Sequence, residues 1–179
     1  MDTKLGIGLS TGMFYHAPAG TALPSLGTTP TSPWVKVGDV TDAGITLALN
    51  KSVTNLKNWA NEIKRAILTD HSETVQAPIM DTTEEALKAV VGTKNVTKAN
   101  NVITVNLSDG DLPEQEAFLF LMKDGNDLMG IGCSYGQVTA VDNVSFAPNN
   151  AINWTPTITG MRTGFKFLSG PTGATGATS

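Results

Sequence analysis

The sequence predicts a mainly β fold, a β-sandwich or open barrel with one flanking α-helix. Three observations lead there. Short apolar or alternating runs recur along the chain. Turn-forming Gly, Pro, Asn and Asp separate them. Only Thr82 to Val91 carries both the apolar face and the end signals of a helix.

Residues 1–33 hold Pro18, Pro24, Pro30 and Pro33, and read as an extended N-terminal arm, because Pro blocks helix and central strand alike. The body is expected over residues 34–168. Trp34-Val-Lys-Val-Gly38 opens the first strand, Asp42-Ala-Gly44 is a turn, and Ile45 to Leu49 alternates as a second strand. Asn50 to Asn61 is polar yet carries Val53, Leu56 and Trp59 at helix-like spacing. It reads as a loop, folded back on its own core or docked on another subunit. Ile63 to Met80 is a long β-type stretch. In its second half Glu73, Val75, Ala77 and Ile79 alternate with Ser72, Thr74, Gln76 and Pro78, a mostly apolar face against a polar one, which suits a strand with one wet face.

The helix is expected to start at Thr82, with Glu85 completing a capping box. Leu87, Val90 and Val91 form its packing face, and Gly92 stands where a C-cap belongs. Beyond it, Val102 to Leu107, Ala117 to Met122, Leu128 to Gly132, Gln137 to Val141, Val144 to Phe146, Ile152 to Ile158 and Phe165 to Leu168 read as strands. Asp124-Gly125 between apolar runs signals a hairpin. Residues 169–179, with three Gly-x-y triplets, are too short for a collagen helix and read as a flexible tail.

Composition narrows function. Charged residues are 16% of the 179, well under the usual quarter or so, which suits a surface that meets other protein. The net charge is −4 without a basic run, whereas gripping a nucleic acid backbone needs clustered Lys and Arg. No leader-like or membrane-length apolar segment is evident, so the chain reads as cytosolic when made. The single Cys133 excludes an internal disulfide, and no cofactor or metal set stands out. Gly132-Cys-Ser134-Tyr-Gly136 matches the nucleophile-elbow pattern, but a strand-like run follows it and both histidines, His16 and His71, precede it. It reads as a glycine-rich turn in a chain that is not an enzyme. Asp109-Gly-Asp111 and Asp124-Gly-Asn126-Asp127 lack calcium-loop spacing and read as turns. His16 reads as a surface residue.

Several segments in order resemble the major tail tube protein of long, non-contractile (siphovirus-type) bacteriophages. They are Thr11-Gly-Met-Phe-Tyr-His-Ala-Pro-Ala-Gly-Thr-Ala-Leu-Pro24, Trp34-Val-Lys-Val-Gly-Asp-Val-Thr-Asp-Ala-Gly-Ile45, Asn55-Leu-Lys-Asn-Trp59, Asp70-His-Ser-Glu-Thr-Val75 through Leu87-Lys-Ala-Val-Val-Gly92, and Gly136-Gln-Val-Thr-Ala-Val-Asp-Asn-Val-Ser-Phe-Ala-Pro148. Two departures are Val75, where an aromatic is expected, and Pro78 in the same run. The resemblance implies a virion structural subunit forming stacked hexameric rings, a tube through which the genome leaves. It implies as partners other copies of itself, a tape measure protein and viral DNA in the lumen, and tail terminator and tail tip proteins. On this reading Phe14, Tyr15, Lys51, Val53, Leu56, Lys57 and Trp59 are expected at subunit interfaces, and Asp70, Ser72, Thr74 and Gln76 on the lumen wall. A carbohydrate- or receptor-binding β-module and the tube protein of a contractile or secretion apparatus stand as alternatives.

Overall fold

The computed structural model describes residues 3–10, 12–108 and 110–171. Asp109 and residues 172–179, most of the expected tail, lie outside the described residues. The strands are β1 Ile7–Gly8, β2 Phe14–Pro18, β3 Val35–Gly38, β4 Thr46–Lys57, β5 Ile63–Gln76, β6 Val96–Ala99, β7 Val102–Val105, β8 Glu116–Asp124, β9 Asp127–Val141, β10 Pro156–Gly160 and β11 Lys166–Pro171. One α-helix, α1 Glu84–Val91, interrupts them. The expected mainly β architecture with a flanking helix is what forms.

The main sheet runs β3-β2-β8-β9-β10-β5-β4, with β1 also on β8 and β11 also on β9. All its pairings are antiparallel. β6 and β7 make a separate hairpin. β8 and β2 lie mid-sheet and are covered on both faces, which explains why Ala117 to Leu121 is an unbroken apolar run. On one face Phe118 and Phe120 meet Phe14, Val37, Val75, Ile131, Val138 and Ile158. Phe14 stacks on Phe120 with centroids 4.4 Å apart at 14°. On the other face Ala117 and Leu119 meet Tyr15, Ala17, Leu23 and Trp34.

That second face corrects the expectation of a free arm. Residues 14–18 are a central strand, and Leu23 from the Pro-rich segment and Trp34 just after it bury its far side. Pro18 ends β2, where its missing N–H costs no ladder bond. His16 is likewise buried rather than on the surface. Its Nδ1 lies 2.8 Å from a Glu116 carboxylate oxygen of β8, and Nε2 lies 3.5 Å from Glu85 of α1.

The helix starts one residue later than its sequence signal. Thr83, not Thr82, is the N-cap, accepting the Ala86 N–H at 3.2 Å. Its hydroxyl also lies 3.4 Å from the Val37 carbonyl of β3, tying helix to sheet. The third helical residue is therefore Ala86, and no capping box forms. Gly92 closes the helix at φ 89°, its N–H donating to Lys88 O. Leu87 and Val90 are buried and Val91 partly so, and Ala86 and Ala89 join them. Glu84 and Glu85 hold Lys88 on the exposed side and push its ammonium above the usual lysine range.

Gly132 to Gly136, expected as a turn, is the middle of the 15-residue strand β9. The glycines serve close packing. A Cβ at Gly136 would sit 2.8 Å from both Cys133 Sγ and Phe118 Cδ2, and one at Gly132 would sit 2.7 Å from Leu23 Cδ2. Ser134 follows no elbow, and the buried Cys133 thiol is pushed up to about 12 by desolvation. Gln137 to Val141 continues the same strand. Val144 to Phe146, expected as a strand, is irregular, with Phe146 exposed. Residues 169–171, expected in the tail, complete β11 against β9. β5 stops at Gln76, before Pro78, whose carbonyl instead accepts the Thr41 N–H at 2.9 Å.

Asp124 and Asp127 flank the β8–β9 turn, where Gly125 supplies the positive φ of 57°. Asp124 accepts the Leu5 N–H, and Lys4 pairs with Asp127. These carboxylates pin the N-terminal segment.

Gly136 tests this packing. Gly136→Ala should cost about 1–3 kcal/mol by overpacking, and Thr83→Ala about 1 kcal/mol by uncapping, both read from urea unfolding of the unassembled chain.

Candidate assembly surface

The most unusual feature is the β4–β5 hairpin. β10 pairs with β5 only from Thr74 to Gln76. From there outward β4 and β5 have no other strand neighbour among the described residues, and both their outer edges are open. This corrects the reading of Asn50–Asn61 as a loop: residues 50–57 are strand, paired with β5. The spacing of Val53, Leu56 and Trp59 looked helical but spans a strand and a turn.

The turn itself is tightly built. Asn58 accepts the Glu62 N–H through its side chain at 2.9 Å and donates its amide to the Glu62 carboxylate at 2.9 Å. Asn61 takes φ 61° and donates its N–H to Asn58 O, a left-handed position that Asn tolerates. Lys64 pairs with Glu62. Trp59 stands fully exposed at the apex of this hydrogen-bonded turn.

Cross-strand pairs share a face. One face holds the pairs Leu47 with Val75, Leu49 with Glu73, Lys51 with His71, Val53 with Leu68, Asn55 with Ala66 and Lys57 with Ile63. The other holds Thr46 with Gln76, Ala48 with Thr74, Asn50 with Ser72, Ser52 with Asp70, Thr54 with Ile67 and Leu56 with Arg65. Bulges between Ser52 and Val53 and between Leu56 and Lys57 keep the faces in phase despite unequal strand lengths. The first face is apolar at its root, where Val75 is fully buried, and carries exposed Leu49, Val53, Ile63 and Leu68 further out. The second is polar over its proximal half. There Gln76 Nε2 donates to Thr157 Oγ1 at 3.0 Å, and Thr139 and Thr159 hydroxyls meet at 2.8 Å.

A family model described as phage tail tube protein matches residues 6–164. The chain belongs to that family. Among solved structures, the tail of an empty GTA particle, from helical refinement with C6 symmetry, is similar over 87% of this chain and 94% of its own. The identity is 9% and the TM-score 0.47. No curated protein matches the chain.

Membership fits a molecule with so much uncovered apolar surface, and the residues expected at its interfaces divide by position. Lys51, Val53, Leu56, Lys57 and Trp59 are exposed along the hairpin. Phe14 and Tyr15 are not available: both are buried in the chain's own core, one on each face of β2. Asp70, Ser72, Thr74 and Gln76 share the polar face, with Asp70 the most exposed. Sequence reading missed Leu49, Ile63, Ile67 and Leu68, all exposed. The signal was partial: the Asn-rich turn and the long run from Ile63 were visible, but the polar composition of residues 50–57 hid the first strand.

Trp59 is accordingly separable from folding. Trp59→Ala should leave the unfolding free energy of the unassembled chain unchanged within about 0.5 kcal/mol, while assembly measured by light scattering falls at least tenfold.

Proposed function

We propose that this chain is a structural, non-enzymatic subunit of the tail tube of a long, non-contractile phage tail. Six copies close into a ring, rings stack into a tube, and the lumen conducts the genome into the host. The observation that carries this reading is the β4–β5 hairpin, whose exposed apolar side chains and open edges have no partner within the described chain. An isolated hairpin is at best marginally stable in water, and open edges invite pairing with another chain. Neighbouring copies satisfy both needs in a closed ring.

The polar face supports the lumen. From Thr46 to Ser52 and from Asp70 to Gln76 that face presents hydroxyls, amides and one carboxylate, Asp70, without a cation. Thr157 and Thr159 of β10 extend it. A wall of this kind lets DNA slide past, because phosphate binding depends on Lys and Arg. Ser72, Thr74 and Gln76 thus line the bore, and the helix face with Leu87 and Val90 packs outward of the sheet. The lumen holds a tape measure protein before DNA passes, read by no base contact. Tail terminator and tail tip proteins cap the two ends. The subunit is made in the bacterial cytoplasm and resides in the virion tail.

Labelling tests the lumen. Cys133 is buried and its thiol stays protonated at pH 8, so Ser72→Cys provides the reactive thiol. In negative-stain images the purified protein should form hollow sixfold tubes. A maleimide on a 5 kDa-class polymer should label Ser72→Cys at least tenfold more slowly in tubes than in dispersed chains. Equal rates in tubes would place this face outside the bore.

A further inference from the structure

A groove of about 370 Å³ opens at the root of the hairpin, just before β4 begins. Phe120 forms its buried floor, and Ile7, Met13, Val40, Ile45 and Met122 form its walls. Asp42 stands at the rim, exposed. We propose that this groove receives Trp59 from a second copy of the chain, joined head to tail. The proposal rests on the reading of the chain as a tube subunit and names the acceptor for its hairpin.

Three observations meet here. The first is chemical fit. An indole needs an apolar slot and an acceptor for its single N–H. The groove offers adaptable methionine walls and the Asp42 carboxylate at its edge.

The second is charge. Residues 50–70 carry Lys51, Lys57, Lys64 and Arg65 against Glu62 and Asp70, a net +2. The whole chain is −4, so the remainder is −6. Lys57 flanks the tip turn opposite Lys64, which pairs with Glu62, while Asp42 lines the groove and Asp39, paired with Lys36, stands in the same β3–β4 connection. The hairpin is the positive end of a negative molecule, and its tip complements its own root.

The third is distance. β4 has 12 residues, so at about 3.3 Å each the tip lies roughly 40 Å from the root. A chain cannot fill its own groove. Translation by one hairpin length places each tip on the next root. The contact is heterologous, so the operation repeats without closing along the hairpin direction. It predicts an axial repeat of roughly 40 Å.

Paired cysteines test it. Ala43, in the turn at the groove, and Ala60, beside Trp59, are both exposed. Cysteines at these positions in one chain are far beyond the ~7 Å Cα limit for a disulfide, so any bond joins two chains. Tubes of the A43C/A60C double variant, oxidised, should run as a ladder of linked chains on a non-reducing gel, with either single variant showing at least tenfold less. Ile45→Trp, which fills the groove, should leave rings but abolish elongation. Tubes that elongate normally with Ile45→Trp, or tubes of the double variant that do not cross-link, would overturn this contact while leaving the tube reading intact. Wild-type protein that forms neither rings nor tubes would remove both.

Discussion

The Phe14 ring, stacked between Phe118 and Phe120, is the contact on which the sheet depends. It joins residues more than a hundred positions apart and sets the register of β2 on β8, with Phe14 opposite Phe120. Because β2 sits mid-sheet, the same pairing also places Tyr15 and Ala17 on the far face for Leu23 and Trp34 to cover. Truncating a buried Phe typically costs about 3–5 kcal/mol, a large part of the 5–15 kcal/mol that holds a domain folded. The N-terminal segment therefore locks the two halves of the molecule together. His16 adds a 2.8 Å contact from β2 to the Glu116 carboxylate of β8.

That locked body carries a hairpin which the body itself does not shelter. Eight large apolar side chains on it are exposed: Leu47, Leu49, Val53, Leu56, Trp59, Ile63, Ile67 and Leu68. Most are about half exposed, so covering each is worth on the order of 1 kcal/mol, roughly 8 in all. Association costs about 4–15 kcal/mol. One hairpin contact alone therefore gives a weak dimer. In the proposed ring each subunit makes two lateral contacts, and effective concentration adds to each further one. On that proposal the balance keeps free chains dispersed and a completed assembly stable. The internally bonded tip turn helps, since the backbone that carries Trp59 is fixed before any partner arrives.

Much of the fold was legible because local chemistry and tertiary role coincide. The helix face, Gly92 and the Gly125 turn follow from spacing and φ requirements that act over a few residues. Other features rest on contacts that no local pattern encodes. Proline density in residues 1–33 argued for an arm, yet Phe14 to Ala17 is core because β8 lies beside it. Gly132 to Gly136 has turn composition, but its glycines answer to Phe118, Leu23 and Ile158 pressing close. In the candidate site, the polar alternation of Ser72, Thr74 and Gln76 was readable. The strand character of Asn50 to Lys57 was not, because its apolar residues serve a surface rather than a core and so lack a clean period of two.

In the proposed tube, charge and apolar contact have different ranges and so different tasks. At physiological ionic strength the Debye length is about 8 Å. Lys57 therefore acts on Asp42 of the β3–β4 connection only during the final approach. Exposed pairs of this kind are worth at most about 1 kcal/mol, but they raise encounter rates and disfavour the reversed orientation. A tip meeting another tip brings like charges together, as does a root meeting a root. The indole, once seated, is indifferent to salt and sets the lifetime of the contact. Charge thus selects head-to-tail order while burial of Trp59 holds it, and a directional tube follows from the uneven distribution of twelve cations along one chain.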